Sequence, residues 1–208
     1  MKEESASLEK LRRERTVVII KPDAVMRKIV GELIGRFERK GLKIVAMKLI
    51  WPTHALAEQH YIDSEEWLVD SGTKAYNNMV EKGIEPTMTP RQIGLNTRRK
   101  LMDHLTGGPV VAMILEGPHS IEVVRKMRGA TSPLLADIGT IGFDYTLESY
   151  ETADAGDWAI KNVIHASDSP ANYQRERDIW FDKSEIVNYD SAIDHVLYSN
   201  NWFQKPSE

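Results

Sequence analysis

The sequence predicts an α+β fold, because strand–helix–strand units lie near both ends of the chain, with a polar, helix-forming segment between them. The chain has 208 residues, a length that suits one domain carrying an insertion. Hydrophobic residues make up 41% of it, which is enough to form a core. This order of elements is the split βαβ pattern of ferredoxin-like sandwiches, in which helices pack on an antiparallel sheet.

The first unit begins with residues 16–20 (TVVII), whose β-branched and apolar side chains predict a buried strand. Apolar residues then recur at helical spacing over residues 29–37, and Gly41 follows as the expected end of that helix. Residues 42–51 predict a second strand, which Pro52 closes.

The middle of the chain changes character. Residues 53–63 predict a helix with Thr53 as its N-cap. From about residue 64 to residue 107 the chain is mostly polar and helix-forming, and glycines and prolines interrupt it. We expect this segment to form helices outside the sheet.

The second unit begins with residues 109–115 (PVVAMIL), which predict the third strand, and continues with a helix over residues 119–128. Residues 139–156 are acidic and loop-like, and the apolar pair 163–164 predicts a short fourth strand. Pro170 suits the first position of a further helix.

These elements predict a single domain over residues 15–200. It carries a helical insertion at about 64–107 and a second insertion at about 145–157. A charged N-terminal arm (residues 1–14) and a polar C-terminal tail (residues 201–208) flank the domain. The chain has no internal repeat.

Composition excludes several classes of function. The formal net charge of −4 makes nucleic acid an unlikely partner for the whole chain, and the basic stretch 91–100 suits a solvated helix face better than an RNA contact. The chain has no cysteine, which excludes disulfides, thiolate nucleophiles and iron–sulfur clusters. The apolar run Val110–Leu115 is too short to span a membrane, and the first residues lack the apolar core of a secretory signal. We therefore expect a cytoplasmic protein.

Candidate chemistry lies where two predicted strands end. Lys21 directly follows the first strand, and residues 162–169 (NVIHASDS) contain the last strand. A split βαβ fold can place these ends side by side, so Lys21 and His165 are expected to face one site. His165 could act as a nucleophile if an acceptor held one ring nitrogen, and Glu176, about three helical turns along, is a candidate. A hydrogen-bonded core histidine is the alternative.

A phosphate site is a second possibility in the residues themselves. Arg125 and Arg128 share one helix face just before Thr131, and two guanidiniums beside a hydroxyl suit a phosphate chain. The alternative is a solvated helix face. A P-loop motif and a Gly-x-Ser-x-Gly elbow are both missing from the sequence. His60 and Asp63 are possible metal ligands, but they lack a companion cluster in the sequence.

Together these features resemble the nucleoside diphosphate kinases. The resemblance rests on residues 21–25 (KPDAV), the pair His60-Tyr61 and residues 162–169, and the last of these matches the active-site signature of the family. It implies a ferredoxin-like fold and ping-pong transfer of the γ-phosphate of a nucleoside triphosphate, typically ATP, to a nucleoside diphosphate. His165 would carry the phosphate as a phosphohistidine. Mg²⁺ would be held mainly by the substrate phosphates, without protein ligands.

The roles that the resemblance implies transfer to matching positions. Glu176 would orient the ring of His165, and Ser167 would lie near the γ-phosphate. Lys21 would contact both the ribose hydroxyls and the transferring phosphate. The implied catalytic residues are therefore His165, Lys21, Glu176 and Ser167.

The implied substrate-binding residues are Lys21, Tyr61, Trp67, Arg125, Arg128, Thr131 and Asn162. Asn162 would bind the sugar 3′-hydroxyl, and Arg125 and Thr131 match the phosphate-binding arginine and threonine of the family. Tyr61 would lie beside the histidine, with a core aromatic as the alternative. Trp67 is the nearest candidate for the aromatic residue that stacks on the base, and a core position is an equal alternative.

The sequence also departs from the family. The family motif Gly-Thr-Ile-Arg-Gly-Asp is replaced by GTIGFD at residues 139–144, so a phosphate-binding arginine is missing at Gly142. Arg128 or Lys161 would have to compensate. The insertion at about 64–107 also more than doubles the expected spacing in that region.

The resemblance implies a homo-oligomer, a hexamer or a tetramer, that binds nucleoside triphosphates and diphosphates. One alternative is a nucleotide-binding sensor or interaction protein of the same fold with weak catalysis, which the missing arginine favours. Another is a phosphohistidine donor to other proteins, with the insertion as its docking surface.

Overall fold

The computed structural model describes residues 12–198 and contains one four-stranded sheet. The strands are β1 (Arg15–Ile20), β2 (Lys43–Ile50), β3 (Val110–Glu116) and β4 (Ile164–Ala166). They lie in the order β2-β3-β1-β4, and every neighbouring pair is antiparallel. This topology confirms the predicted split βαβ sandwich.

The described helices of the first half are α1 (Pro22–Met26), α2 (Val30–Arg39), α3 (His54–His60), α4 (Glu65–Glu81) and α5 (Pro90–Thr106). Thr53 caps α3 by accepting the amide of Leu56 at 3.2 Å, as the sequence predicts. The predicted extension of this helix to residue 63 is wrong, because the chain leaves helical geometry at Tyr61. Gly41, with φ of +92°, follows α2 in the left-handed conformation that favours glycine.

The described helices of the second half are α6 (Ser120–Arg128), α7 (Ile141–Tyr145), α8 (Tyr150–Ala155), α9 (Pro170–Trp180) and α10 (Ala192–Tyr198), with 3₁₀ turns at Pro133–Leu135 and Lys183–Glu185. The prediction of a loop over residues 139–156 is wrong, because hydroxyls at Thr140 and Ser149 cap two short helices there. The fourth strand begins one residue later than predicted.

The central strands β1 and β3 of the sheet are buried on both faces. Residues of β1 alternate between two apolar clusters, so that Val18 and Ile20 face α2 and α6 on one side. Val17 and Ile19 face a cluster on the other side that contains side chains from α5 and α9. An apolar run on a strand, rather than an alternating pattern, is what burial on both faces requires.

The helices expected outside the sheet are present as α4 and α5, and α5 packs on this second face. Met102 and Leu105 of α5 are buried in the same cluster as Val17 and Ile19, and burial of these apolar side chains explains the docking. The boundaries of the predicted domain and its insertions stay predictions. Most of the predicted arm (residues 1–14) and all of the tail (201–208) lie outside the described residues.

The two long helices of the insertion approach each other closely at two glycines. A Cβ atom added at Gly72 would lie 1.7 Å from the carbonyl oxygen of Pro90, and one at Gly94 would lie 2.1 Å from that of Leu68. Only residues without a side chain fit at these positions. Among the described residues, no helix is both long and apolar enough to cross a membrane.

Candidate active site

The imidazole of His165 is held by a carboxylate from the following helix. His165 lies in β4, opposite Ile19 of the central strand, and its Nε2 is 2.9 Å from Oε1 of Glu176 in α9. Burial opposes charge on Glu176, but hydrogen bonds from His165 and Ser167 and the nearby charge of Arg175 outweigh it and hold the pKa of Glu176 below its ordinary value. Because an ionised carboxylate only accepts, Nε2 carries the proton and Nδ1 keeps its lone pair.

The carboxylate of Glu176 is in turn fixed by Ser167. The Ser167 hydroxyl donates to Oε2 of Glu176 at 2.6 Å and accepts the backbone N–H of Val17 at 3.1 Å. Ser167 is fully buried, two residues after His165. β1, β4 and α9 therefore hold this imidazole in place together.

Lys21 lies in the same region, where β1 ends. Its Nζ donates to Oδ1 of Asn162 at 2.7 Å, and Nδ2 of Asn162 donates to the carbonyl oxygen of Thr131 at 2.9 Å. Burial lowers the pKa of Lys21 to about 8, an effect that Asp23 opposes and the positive charge of Arg128 reinforces. The lysine is thus a buried cation without a full counter-charge.

Arg128 approaches this group from the end of α6. Its Nη2 donates to the Thr131 hydroxyl at 3.3 Å, and its Nε donates to the carbonyl oxygen of Gly129 at 3.2 Å. Burial lowers the pKa of Arg128, and the nearby charge of Arg125 adds to this. The structure therefore gathers Lys21, Arg128 and Thr131 into one cationic region, with Arg125 exposed beside it.

His60 packs directly against His165. The two ring centroids are 4.5 Å apart with the rings nearly perpendicular, and Nε1 of Trp180 donates to Nδ1 of His60 at 3.3 Å. Burial lowers the pKa of His60 well below its ordinary value, and the nearby cations Arg175 and Lys21 add to this. His60 is therefore a neutral neighbour of the His165 ring. Tyr61 packs edge-on against His60, with ring centroids 4.8 Å apart, and burial raises the pKa of its hydroxyl.

His60 has companions that the sequence did not indicate. One ligand atom each from His60, His165 and Glu176 lie within 4.8 Å of one another, a set that could hold a metal ion. Nitrogens of both histidines are already engaged in hydrogen bonds with Trp180 and Glu176. His60 and His165 are 105 positions apart in the chain, so no local pattern indicates their contact. The pair His60-Tyr61 was the only signal for it.

Three further positions singled out in the sequence lie outside the group formed by Lys21, Arg128 and Thr131. Trp67 is half-buried in the first turn of α4. The ammonium of Lys161 lies 4.2 Å from the ring centroid of Trp158, a cation–π contact that engages its charge. Gly142 is buried, and a Cβ there would lie 3.1 Å from the carbonyl oxygen of Arg128.

A surface cavity of about 650 Å³ lies beside α6, and Arg125 is the one predicted site residue among those that line it. Its lining includes the acidic residues Glu14, Glu122 and Asp168 as well as the basic residue Lys126. Lys21 and His165 do not line this cavity. The fixed imidazole of His165 and the buried ammonium of Lys21 therefore lie apart from this cavity.

Sequence reasoning also missed residues that support this site. Asp23 accepts the backbone N–H of Val163, and His104 of α5 pairs with Asp23. Asp23 stands in the KPDAV segment, which was the only signal for its position. No pattern in the sequence indicated His104.

Comparison with known proteins places these features in one family. The sequence model described as "Nucleoside diphosphate kinase" matches residues 14–84 and 94–186. The nucleoside diphosphate kinase of Pyrobaculum aerophilum is 42% identical over 179 residues, covering 84% of this chain and 98% of that protein. That of Pyrococcus furiosus is 45% identical over 181 residues, covering 87% and 91%.

Solved structures give the same result. A crystal structure of an NDP kinase from Pyrobaculum aerophilum has a TM-score of 0.82 at 41% identity, covering 85% of this chain and all of that one. A transition-state mimic of the nucleoside-diphosphate kinase from Borrelia burgdorferi, with bound vanadate and ADP, has a TM-score of 0.71 at 36% identity and covers 88% of this chain and 95% of that one.

Proposed function

The chain belongs to the nucleoside diphosphate kinase family, and we propose that its phosphate transfer passes through a phosphohistidine at His165. It is a phosphotransferase. The observation that carries the proposal is the hydrogen bond of 2.9 Å from Nε2 of His165 to the ionised Glu176, which leaves Nδ1 as the free nucleophile.

In the first half-reaction, the lone pair of Nδ1 forms a bond to the γ-phosphorus of a nucleoside triphosphate. The bond between that phosphorus and the β,γ-bridging oxygen breaks, and the nucleoside diphosphate leaves with the oxygen. The ring gains positive charge as the bond forms, and Glu176, 2.9 Å from Nε2, stabilises that charge. In the second half-reaction, a terminal oxygen of another nucleoside diphosphate attacks the phosphorus and the P–N bond breaks.

The cationic region supplies the remaining stabilisation. Phosphoryl transfer depends mostly on positioning and on compensation of charge on the phosphoryl oxygens. We assign Lys21, Arg125, Arg128 and Thr131 to the phosphate chain, and Asn162, which bonds Lys21 at 2.7 Å, to the sugar. We assign Tyr61, which packs against His60, and Trp67, which lies on α4, to the nucleoside part of the substrate.

Mg²⁺ fits this site as a partner of the substrate rather than of the protein. The ion prefers oxygen ligands, whereas the cluster of His60, His165 and Glu176 offers two imidazoles and a carboxylate that already accepts hydrogen bonds. Lys21 and Arg128, which we assign to the phosphates, are cations and cannot ligate it. We therefore propose that the substrate phosphates hold the ion, which neutralises part of their charge when bound.

Arg128 supports an active enzyme over a weak nucleotide-binding protein. The arginine missing at Gly142 would weaken phosphate binding if nothing replaced it. The guanidinium of Arg128 is half-buried and donates a hydrogen bond to Thr131, and its positive charge contributes to the lowered pKa of Lys21. We propose that Arg128 replaces the missing contact, since Lys161 is engaged with Trp158.

We also propose that the protein is a homo-oligomer, a hexamer or a tetramer, that acts in the cytoplasm, where its nucleotide substrates are found. Exposed apolar side chains at Leu134, Leu135 and Ile138 support an interface between copies. A mass measurement by light scattering on the wild type and on Ile138→Asp tests this. A wild type of monomer mass would contradict it.

The phosphohistidine is tested by labelling. Wild-type protein, His165→Asn and the control His54→Asn are incubated with γ-labelled ATP and Mg²⁺ and then chased with GDP. His54 is exposed in the first turn of α3. We expect an acid-labile label on the wild type and the control, which GDP removes as GTP, and none on His165→Asn. Label on His165→Asn, or transfer to GDP without a labelled enzyme, would refute the proposal.

A further inference from the structure

The chain enters β4, the strand that contains His165, through a strained turn. Val163 has φ of +58°, a left-handed conformation that β-branched residues rarely adopt. The N–H of Ile164 donates to the carbonyl oxygen of Asn162 at 2.7 Å, which makes a three-residue γ-turn around Val163. Asn162 and His165 lie on either side of this turn, so its geometry sets the direction of both side chains. Such a conformation persists only where surrounding contacts enforce it.

Asp23 is the side chain that holds this turn. The N–H of Val163 donates to Oδ2 of Asp23 at 3.2 Å, and the carbonyl oxygen of Val163 accepts the N–H of Lys21 at 2.8 Å. The other carboxylate oxygen of Asp23, Oδ1, is 3.1 Å from Nε2 of His104. Both side chains are largely buried, so this contact is shielded from water.

The packing of α5 fixes His104 in place. On α5, Met102 and Leu105 flank His104 and are buried in the core beneath the sheet. The chain that leaves α5 also touches α1, because a Cβ added at Gly108 would lie 3.0 Å from Cβ of Pro22. The imidazole of His104 therefore reaches Asp23 from a rigid element.

We propose that His104 is a positioning residue, through which α5 holds Asp23 against the turn at Val163 and so aims His165 and Asn162. This inference rests on the proposed role of His165 and gives α5 a part in the reaction. His104 touches neither the catalytic ring nor its carboxylate, and it acts through Asp23 and the backbone. Without it, the carboxylate can turn away and the turn at Val163 can relax.

The test compares variants of His104 that differ in hydrogen bonding. His104→Leu removes the donor, and His104→Asn keeps a polar group but is too short to reach Asp23. His104→Gln places an amide N–H near the position of Nε2. Asp103→Asn is the control, because Asp103 is an exposed neighbour on the same helix whose partner is Arg99.

The measurement is the single-turnover rate of labelling of His165 by γ-labelled ATP at saturation, together with the Kd of ADP. We expect His104→Leu and His104→Asn to label at least about 10-fold more slowly, because small displacements of reacting groups cost up to ~100-fold. The Kd of ADP should rise as well, but by less than the labelling rate falls, because Asn162 is one of several groups that we assign to the nucleotide. His104→Gln and Asp103→Asn should stay within about 3-fold of the wild-type rate.

Hydrogen exchange at the amide of Val163 gives a second readout that general destabilisation would not move selectively. We expect faster exchange in His104→Leu and His104→Asn than in His104→Gln, with core amides of β1 unchanged. Wild-type labelling rates in the first two variants, or an equal loss in His104→Gln, would overturn the inference. A wild type that takes no label at His165 would instead refute the proposed function, and this inference with it.

Discussion

Replacing Lys21 with methionine should remove a charge that destabilises the folded protein. Burial lowers the pKa of Lys21 from 10.5 to about 8, and one unit of pKa corresponds to about 1.4 kcal/mol. Burying this charge therefore costs about 3 kcal/mol of folding free energy at pH 7. Methionine removes that cost, but it leaves Oδ1 of Asn162, which Lys21 bonds at 2.7 Å, without its donor, at a cost of about 1–3 kcal/mol.

The pH dependence separates these two effects. Between pH 8 and pH 10.5, the folded state binds fewer protons at Lys21 than the unfolded state, so the stability of the wild type rises with pH. Lys21→Met lacks this titrating group, so its free energy of unfolding does not show this rise with pH. The wild type should therefore gain about 3 kcal/mol relative to Lys21→Met from pH 7 to pH 10.5.

Urea unfolding of both proteins across this pH range measures the difference. Lys74→Met is the matched control, because Lys74 is an exposed lysine on α4 that pairs with Asp70. Its stability should follow the wild type within about 0.5 kcal/mol at every pH. If the stability difference between Lys21→Met and the wild type were independent of pH, the buried-charge reasoning would be wrong. Lys21→Met should also lose kinase activity, whatever its stability.

Three further changes give distinct results. Glu176→Gln keeps a polar group beside His165 but removes its charge, so kcat should fall on the order of 100-fold in steady-state assays, and an unchanged kcat would exclude the charge as the reason. Arg128→Ala should raise the KM for ADP about 10-fold, since a charge-assisted contact is lost; unchanged kinetics would remove Arg128 as the replacement for the missing arginine. Gly94→Ala should destabilise the protein by at least about 2 kcal/mol in urea unfolding, because its Cβ would lie 2.1 Å from the carbonyl oxygen of Leu68, and equal stability would contradict that close approach.

Local patterns in the sequence were sufficient for most of the sheet. The run at residues 16–20 predicts the central strand, because apolar side chains on both faces are needed where helices cover both sides. Glu176 is likewise accessible to spacing arguments, since a strand followed by a helix brings residues eleven positions apart together. These are short-range relations, which one segment of sequence contains.

The contacts that the sequence could not predict join distant segments. His60 meets His165, and His104 meets Asp23 from 81 positions away. Neither contact leaves a periodic signal. Valine favours strands, so the positive φ of Val163 runs against its local preference and is imposed by the tertiary structure. The docking of the insertion was missed for a related reason, because α5 is mostly polar and also turns His104 inward.

The electrostatics of the site and the departure at Gly142 have a common explanation. Burial and a neighbouring positive charge lower the pKa of both Lys21 and Arg128 in the free protein, with Arg128 acting on Lys21 and Arg125 acting on Arg128. At the phosphate site that we propose, a polyphosphate chain would supply the negative charge that relieves this repulsion, so binding and stability place opposite demands on the same residues. A side chain at Gly142 would begin 3.1 Å from the carbonyl oxygen of Arg128 and would compete for the space beside it. An arginine at 128 in place of one at 142, as we propose, thus keeps the positive charge of the site without crowding a third cation against Lys21 and Arg128.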